Sequence, residues 1–79
     1  MTQAAARSID RELRQYQQSL DTLDAMAYLA CSTGSVVHVV TPRQAGVVER
    51  ARTLAIQAGL DASIDVMART VRVRFSPLE

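Results

Sequence analysis

Apolar residues in the first part of the chain recur at alternating steps of three and four, which is the period of an amphipathic helix with a heptad seam. The seam positions are Ala6, Ile9, Leu13, Tyr16, Leu20, Leu23, Ala27 and Ala30. No proline interrupts the run, and Gly34 follows it where a left-handed C-cap belongs. The pattern predicts one helix over residues 2–31, roughly 40 Å long at about 1.5 Å per residue.

The two ends of this helix differ in what surrounds the seam. From Arg7 to Gln18 every residue off the seam is polar, whereas from Met26 to Cys31 apolar residues occupy all sides. A helix end that is apolar all round is typical of burial on several sides. We therefore expect the C-terminal turns in the core, with Cys31 buried and inert, and the N-terminal half overhanging with a narrow stripe that needs another partner.

The next segment contains a strand followed by a second helix. The β-branched run Ser35–Val40 predicts a strand. Thr41 and Pro42 fit the N-cap and first position of a helix, with Gln44 completing a capping box. This helix is expected to end at Gly59, and its apolar face comprises Val47, Val48, Ala51, Leu54, Ala55 and Ala58.

The last segment reads as a β-hairpin with one favoured register. In this register the numbers of paired residues add up to 137, so Val66 is opposite Val71 and Asp65 is opposite Arg72. A slip of one residue would spoil both the apolar face and the charge pair. The turn at residues 67–70 lacks Gly and Asn, so we expect it to be longer than two residues or strained.

These elements predict an α+β fold: a long N-terminal helix, then strand, helix, strand, strand, with two helices on one face of a three-stranded sheet. Either the first two strands are parallel neighbours, or the third inserts between them; the strongly apolar Val71–Phe75 favours the second order. The expected core comprises Leu23, Ala27, Val37, Val39, Ala51, Leu54, Ile64, Val66, Val71, Val73 and Phe75. On the first strand the inward face is left open, because Val36 and Val40 would serve as well as Val37 and Val39. The expected outer sheet face comprises Val36, His38, Val40, Ser63, Asp65, Met67, Arg72 and Arg74.

Composition narrows the class of protein. The chain has 79 residues, a formal net charge of +1 and a single cysteine, which predicts one small domain over residues 1–79 without an internal disulfide or a structural zinc site. Its longest apolar run, Ala25–Cys31, is far short of a membrane span, so we expect a cytoplasmic protein with no membrane partner. Only His38 with Cys31 or Asp65 offers catalytic chemistry, so we expect neither an enzyme nor a cofactor or metal.

The leading functional hypothesis is a non-catalytic binding module, a small regulator or inhibitor that occupies a surface of a larger partner. Phage-borne inhibitors of bacterial defence complexes are one such class. The expected partner-binding residues are on the seam: Ile9, Leu13, Tyr16 and Leu20. A homodimer through this helix is also expected. The charges flanking the seam (Asp10, Glu12, Asp24) are all acidic, which argues against a parallel pair and favours either an antiparallel pairing or docking on an arginine-bearing surface of a partner.

The alternative hypothesis is a nucleic-acid-binding domain that uses the C-terminal hairpin. The residues of this second face are His38, Arg69, Arg72 and Arg74, because arginines spaced along a strand reach successive phosphates. The order of elements is similar to that of small DNA- and RNA-binding α/β domains, among them the chromatin protein Alba, and the resemblance implies a basic hairpin as the binding element. The near-zero net charge and the lack of exposed aromatics for stacking favour the protein partner instead.

Overall fold

The chain folds as helix, strand, helix, strand, strand, which confirms the predicted α+β class. The structure is a computed structural model that describes the backbone of residues 3–78 and the side chains of residues 10–78. Its elements are α1 (Gln3–Thr33), β1 (Val37–Pro42), α2 (Val47–Ala58), β2 (Leu60–Val66) and β3 (Thr70–Pro77). In this described part of the chain, no helix is long and apolar enough to cross a membrane.

The sheet has the order β1-β3-β2, with β3 antiparallel to both neighbours. This is the predicted insertion of the third strand. The hairpin register is also as predicted, since Val66 pairs with Val71 and Asp65 with Arg72. The turn was expected to be longer or strained, but it is a two-residue connection: the Met67 N–H donates to the Thr70 carbonyl at 2.8 Å, and no residue of the turn has a positive φ.

Both helices pack on one face of this sheet, α1 mainly over β1 and α2 mainly over β2. The buried apolar residues between the layers are Leu23, Ala27, Ala30, Val39, Val47, Ala51, Ala55, Leu60, Val71, Val73 and Phe75. Val37, Leu54 and Ile64 pack against this core while partly accessible. Val66 was expected in the core but is exposed, because it lies on an edge strand at the hairpin end, beside the first turn of α2 rather than under it.

The start of the second helix differs from the sequence prediction. Thr41 and Pro42 belong to β1, and α2 begins only at Val47, after Gly46 with φ 88° as its N-cap. The strand continues because pairing with β3 persists past its end, where the Arg43 N–H donates to the Arg69 carbonyl at 2.9 Å. A proline is tolerated there because β1 is an edge strand with one side unpaired.

The C-terminal turns of α1 are not buried on several sides, as their composition predicted. Tyr28 is 75% exposed and Leu29 is 44% exposed. Cys31 is exposed as well, and its thiol donates to the Ala58 carbonyl at 3.6 Å. The reason is the two-layer architecture: α1 forms an outer layer, so only the side toward the sheet and α2 is covered.

Candidate binding surfaces

The N-terminal part of α1 extends beyond the rest of the fold. Tyr16 lies against Gly46 at the start of α2, and Cys31 contacts Ala58 at its end, so the two helices run side by side in the same direction. Residues 3–15 therefore lie ahead of α2, a segment of roughly 20 Å that we call the overhang. The protein accordingly measures 53 Å along its longest axis against 23 and 16 Å along the others.

The seam residues differ in how much of each is accessible. Leu13, on the overhang, is 63% exposed. Tyr16 and Leu20 are half-buried against the protein's own fold. Ile9 lies in α1, but its side chain is outside the described residues. Among the described seam residues, Leu13 is thus the one with most of its apolar surface free for a partner.

Two contacts hold the part of α1 that follows the overhang against α2. Arg50 of α2 binds Asp24 of α1 in a forked arrangement, with nitrogen–oxygen distances of 2.9, 2.9 and 3.1 Å. Tyr16 covers Gly46 so closely that a Cβ there would lie 2.5 Å from the tyrosine oxygen. Asp24, expected beside a partner's surface, instead joins the two helices, and the acidic charges left along the overhang are Asp10 and Glu12.

The outer sheet face is open to solvent, as the alternation predicted. Its exposed residues are Val36, His38, Val40, Ser63, Asp65, Met67, Arg72 and Arg74. Arg72 and Arg74 lie on the central strand, with Val40 and His38 opposite them on β1. Arg69 is exposed in the hairpin turn beside this face. Among the described side chains neither Arg72 nor Arg74 forms a salt bridge, so Asp65 is opposite Arg72 in register without a direct ion pair between them.

A possible base and orienting carboxylate do not meet on this face. His38 and Asp65 both line a depression of about 250 Å³ together with Ser63, Arg72 and Arg74. They lie on opposite edge strands with β3 between them, which separates them by about 10 Å at the usual strand spacing. None of the hydrogen bonds among the described residues joins them.

Two further grooves were not anticipated from the sequence. One, of about 730 Å³, separates the hairpin from the start of α2 and has Arg43 and Arg69 on its rim. The other, of about 220 Å³, lies between α1 and β1 and is lined by Gln15, Gln18, Ser19, Thr22, Val40, Thr41 and Pro42. The larger groove is lined by residues 43–46, and the smaller one includes Thr41 and Pro42; the sequence pattern had placed Thr41–Gln44 at the start of a helix.

The groove between α1 and β1 contains an unsatisfied polar group. Thr41 is only 2% exposed, and its hydroxyl has no hydrogen-bond partner. Ser19, also buried, donates to the carbonyl of Gln15 within its own helix. A buried hydroxyl without a partner loses its hydration and gains nothing in return. It lies in a groove lined by other uncharged polar side chains, among them Gln15, Gln18 and Thr22.

Neither metal chemistry nor a known relative assigns a function to these surfaces. Within the described residues, no three of His, Cys, Asp and Glu side chains cluster as they would around a metal ion. No family model, curated protein or solved structure matches this chain.

Proposed function

We propose that the protein is a non-catalytic binding module that inserts its overhang against a surface of a larger protein partner. The observation that supports this proposal is the exposure of Leu13 in residues 10–15, the part of the overhang whose side chains are described, where every residue is exposed. A regulator or inhibitor built this way acts by occupying its partner's surface, and its own chain needs no active site.

The energetics of the overhang favour this role. Most of the stability of a helix in a protein comes from packing of its apolar face, so a segment whose apolar stripe is exposed gains stability when a partner covers it. Helix-in-groove binding uses side chains at such heptad spacing as anchors. The contacts of Asp24 and Tyr16 with α2 hold the base of the overhang and so reduce the ordering cost on binding.

The partner prediction is tested by two variants that introduce the same charge on different sides of one helical turn. Tagged wild-type protein, Leu13→Asp and Arg14→Asp are used to capture proteins from source cells, and recovered proteins are quantified by mass spectrometry. We expect one protein whose recovery falls at least about tenfold with Leu13→Asp and is retained with Arg14→Asp. If no protein depends on Leu13 in this way, the overhang is not the binding element.

Self-association through α1 is part of the same proposal. A chain of 79 residues has a thin core and commonly relies on oligomerisation for stability. Sedimentation velocity across a concentration series is expected to show a dimer at tens of micromolar. A monomer at every concentration would remove self-association from the proposal and leave the partner experiment unaffected.

Nucleic-acid binding is the second candidate, and a specific observation favours it. Arg72 and Arg74 point outward from the central strand with no salt bridge among the described side chains. Such free guanidinium groups suit phosphate contacts. We expect a salt-sensitive mobility shift with oligonucleotides that is lost when Arg72→Ala and Arg74→Ala are combined, but kept when Arg11→Ala and Arg14→Ala are combined. Absence of any shift at low salt would eliminate this candidate.

A further inference from the structure

Each edge strand of the sheet has backbone N–H groups that point away from β3. The hydrogen bonds to β3 identify the residues to which these free N–H groups belong. Because the Arg43 N–H donates to Arg69 on the β3 side, alternation along the strand places the N–H groups of His38 and Val40 on the free edge of β1. By the same reasoning, the bond from the Met67 N–H to Thr70 places the N–H groups of Ala62 and Ile64 on the free edge of β2.

Only one of these edges is protected by charge. Strand β2 carries Asp61 and Asp65, both exposed, and charged side chains are a usual guard against pairing with another chain. Strand β1 has the sequence Val-His-Val-Val-Thr-Pro and contains neither acidic residues nor Lys or Arg. In β1 only Pro42 opposes pairing with another strand, because it lacks an N–H, and it does so at the last position of the strand only.

The flank of α1 beside β1 is equally free of charge. Gln15, Gln18 and Thr22 line the groove along the strand. Met26 and Leu29 continue this stripe at the i+4 and i+7 positions from Thr22, and Leu29 is 44% exposed. The Thr41 hydroxyl, buried in the same groove, has no partner among the described residues. The edge and the flank thus form one neutral, partly apolar surface with an unsatisfied hydroxyl.

We propose that this surface binds a second copy of the chain, with the two β1 strands pairing antiparallel across a two-fold axis. The inference rests on the self-association proposed above and places its interface at β1 and the adjoining flank of α1 instead of the seam that carries Leu13. A two-fold axis brings like residues together, so it suits a neutral edge and would be opposed at β2, where carboxylates would meet. The result is a continuous six-stranded sheet.

The arrangement has a preferred register. Pairing centred on Val39 sets His38 of one copy opposite Val40 of the other, so that their outward N–H and carbonyl groups form four hydrogen bonds and Pro42 stays outside. Strands in a sheet are about 4.8 Å apart. Since each α1 lies over β1 and β3, the two helices come to about 10 Å, the usual separation of packed helices. The dimer therefore covers the β1 flank of α1 and leaves Leu13 free for a different partner.

Sedimentation velocity with four proteins separates this dimer from other modes. Val40→Lys places a charge beside His38 of the other copy, and Val40→Pro removes a free-edge N–H while keeping the bonds to β3. The matched control is Ser63→Lys, on the same sheet face but at the β2 edge. We expect both Val40 variants to raise the dimer dissociation constant about tenfold or more, because a two-fold interface loses each contact twice, and the control to leave it unchanged. Circular dichroism checks that each variant is folded.

Hydrogen exchange supplies a second readout that needs no substitution. In the dimer, the amides of His38 and Val40 should become protected as protein concentration rises, while those of Ala62 and Ile64 keep exchanging rapidly. If a dimer forms but all four amides exchange alike, or if Leu13→Asp dissociates it while Val40→Lys does not, the edge inference is wrong although self-association stands. A wild-type protein that remains monomeric overturns both.

Discussion

The two halves of α1 share one heptad seam but have opposite surroundings. Leu23 is completely buried between α2 and the sheet, whereas Leu13 on the same stripe is 63% exposed. The difference comes from reach: a six-residue strand spans about 20 Å, roughly half of a 31-residue helix. A regular apolar stripe therefore indicates an amphipathic helix, but the length of the neighbouring elements decides which part of the stripe is covered.

The largest expected effect comes from truncating the buried leucine. Leu23→Ala should lower the free energy of unfolding by about 2–5 kcal/mol, since it leaves a cavity among the other core residues. The same change at Leu13 should cost less than about 0.5 kcal/mol, because most of that side chain contacts water in the folded state. Urea unfolding at low micromolar concentration measures both, and comparable losses at the two positions would mean that the overhang is covered.

The next largest effect on stability is expected at Gly46, where the covered half of α1 begins. Gly46→Ala is expected to cost about 1–3 kcal/mol, because φ is 88° and the new Cβ would lie 2.5 Å from the Tyr16 oxygen. Gly34→Ala is the matched control, with φ 67° and nothing within 4 Å of the added carbon. Thermal unfolding should show a greater loss at Gly46, partly recovered when Tyr16→Phe is added. Equal losses would indicate that Tyr16 does not pack on α2.

A smaller effect is expected at the ion pair that joins the helices above this boundary. Asp24→Asn should cost at most about 1 kcal/mol, because both partners are nearly half exposed and the interaction is screened by water and salt. Asp21→Asn, one turn earlier on the exposed side of α1, should cost less still. A double-mutant cycle with Arg50→Ala, repeated at high salt, measures the coupling between Asp24 and Arg50. A coupling that does not weaken with salt would contradict a solvent-screened pair.

The comparison also explains which features could be predicted from the sequence. The hairpin register was predictable because alternation at Ile64, Val66, Val71 and Val73 excludes a one-residue slip, and the predicted register also sets Asp65 opposite Arg72. Local signals were less reliable where long-range pairing competes with them. Thr41 and Pro42 have the composition of a helix start, but hydrogen bonding to β3 keeps them in β1, and no local pattern reports that bond.

The candidate surfaces also differ in whether a local pattern or long-range packing determines them. Alternation predicted the outer sheet face of the hairpin strands, whereas on the first strand both alternating faces are mostly valine and leave the choice between them open; every residue assigned to the outer face is exposed. The groove between α1 and β1 was not predictable, because its lining joins residues far apart in sequence, such as Gln18 and Thr41. The burial expected around Met26–Cys31 was wrong because composition does not report how many layers the fold has. Only the sheet and α2 cover α1, so Tyr28 faces solvent.

The smallest expected effect on stability is at Cys31. A substitution there tests whether the C-terminal turns of α1 are covered on one side only. Cys31→Ala should change the free energy of unfolding by less than about 0.5 kcal/mol, since the exposed thiol makes only a long hydrogen bond to Ala58. In the folded protein the thiol should react with a thiol reagent within about tenfold of its rate in denaturant, because it is exposed to solvent. Leu23→Cys in a Cys31→Ala background is the buried counterpart and should react only as the protein unfolds. If the native thiol were protected as strongly as that buried one, the C-terminal turns of α1 would be enclosed on several sides, as their apolar composition predicted.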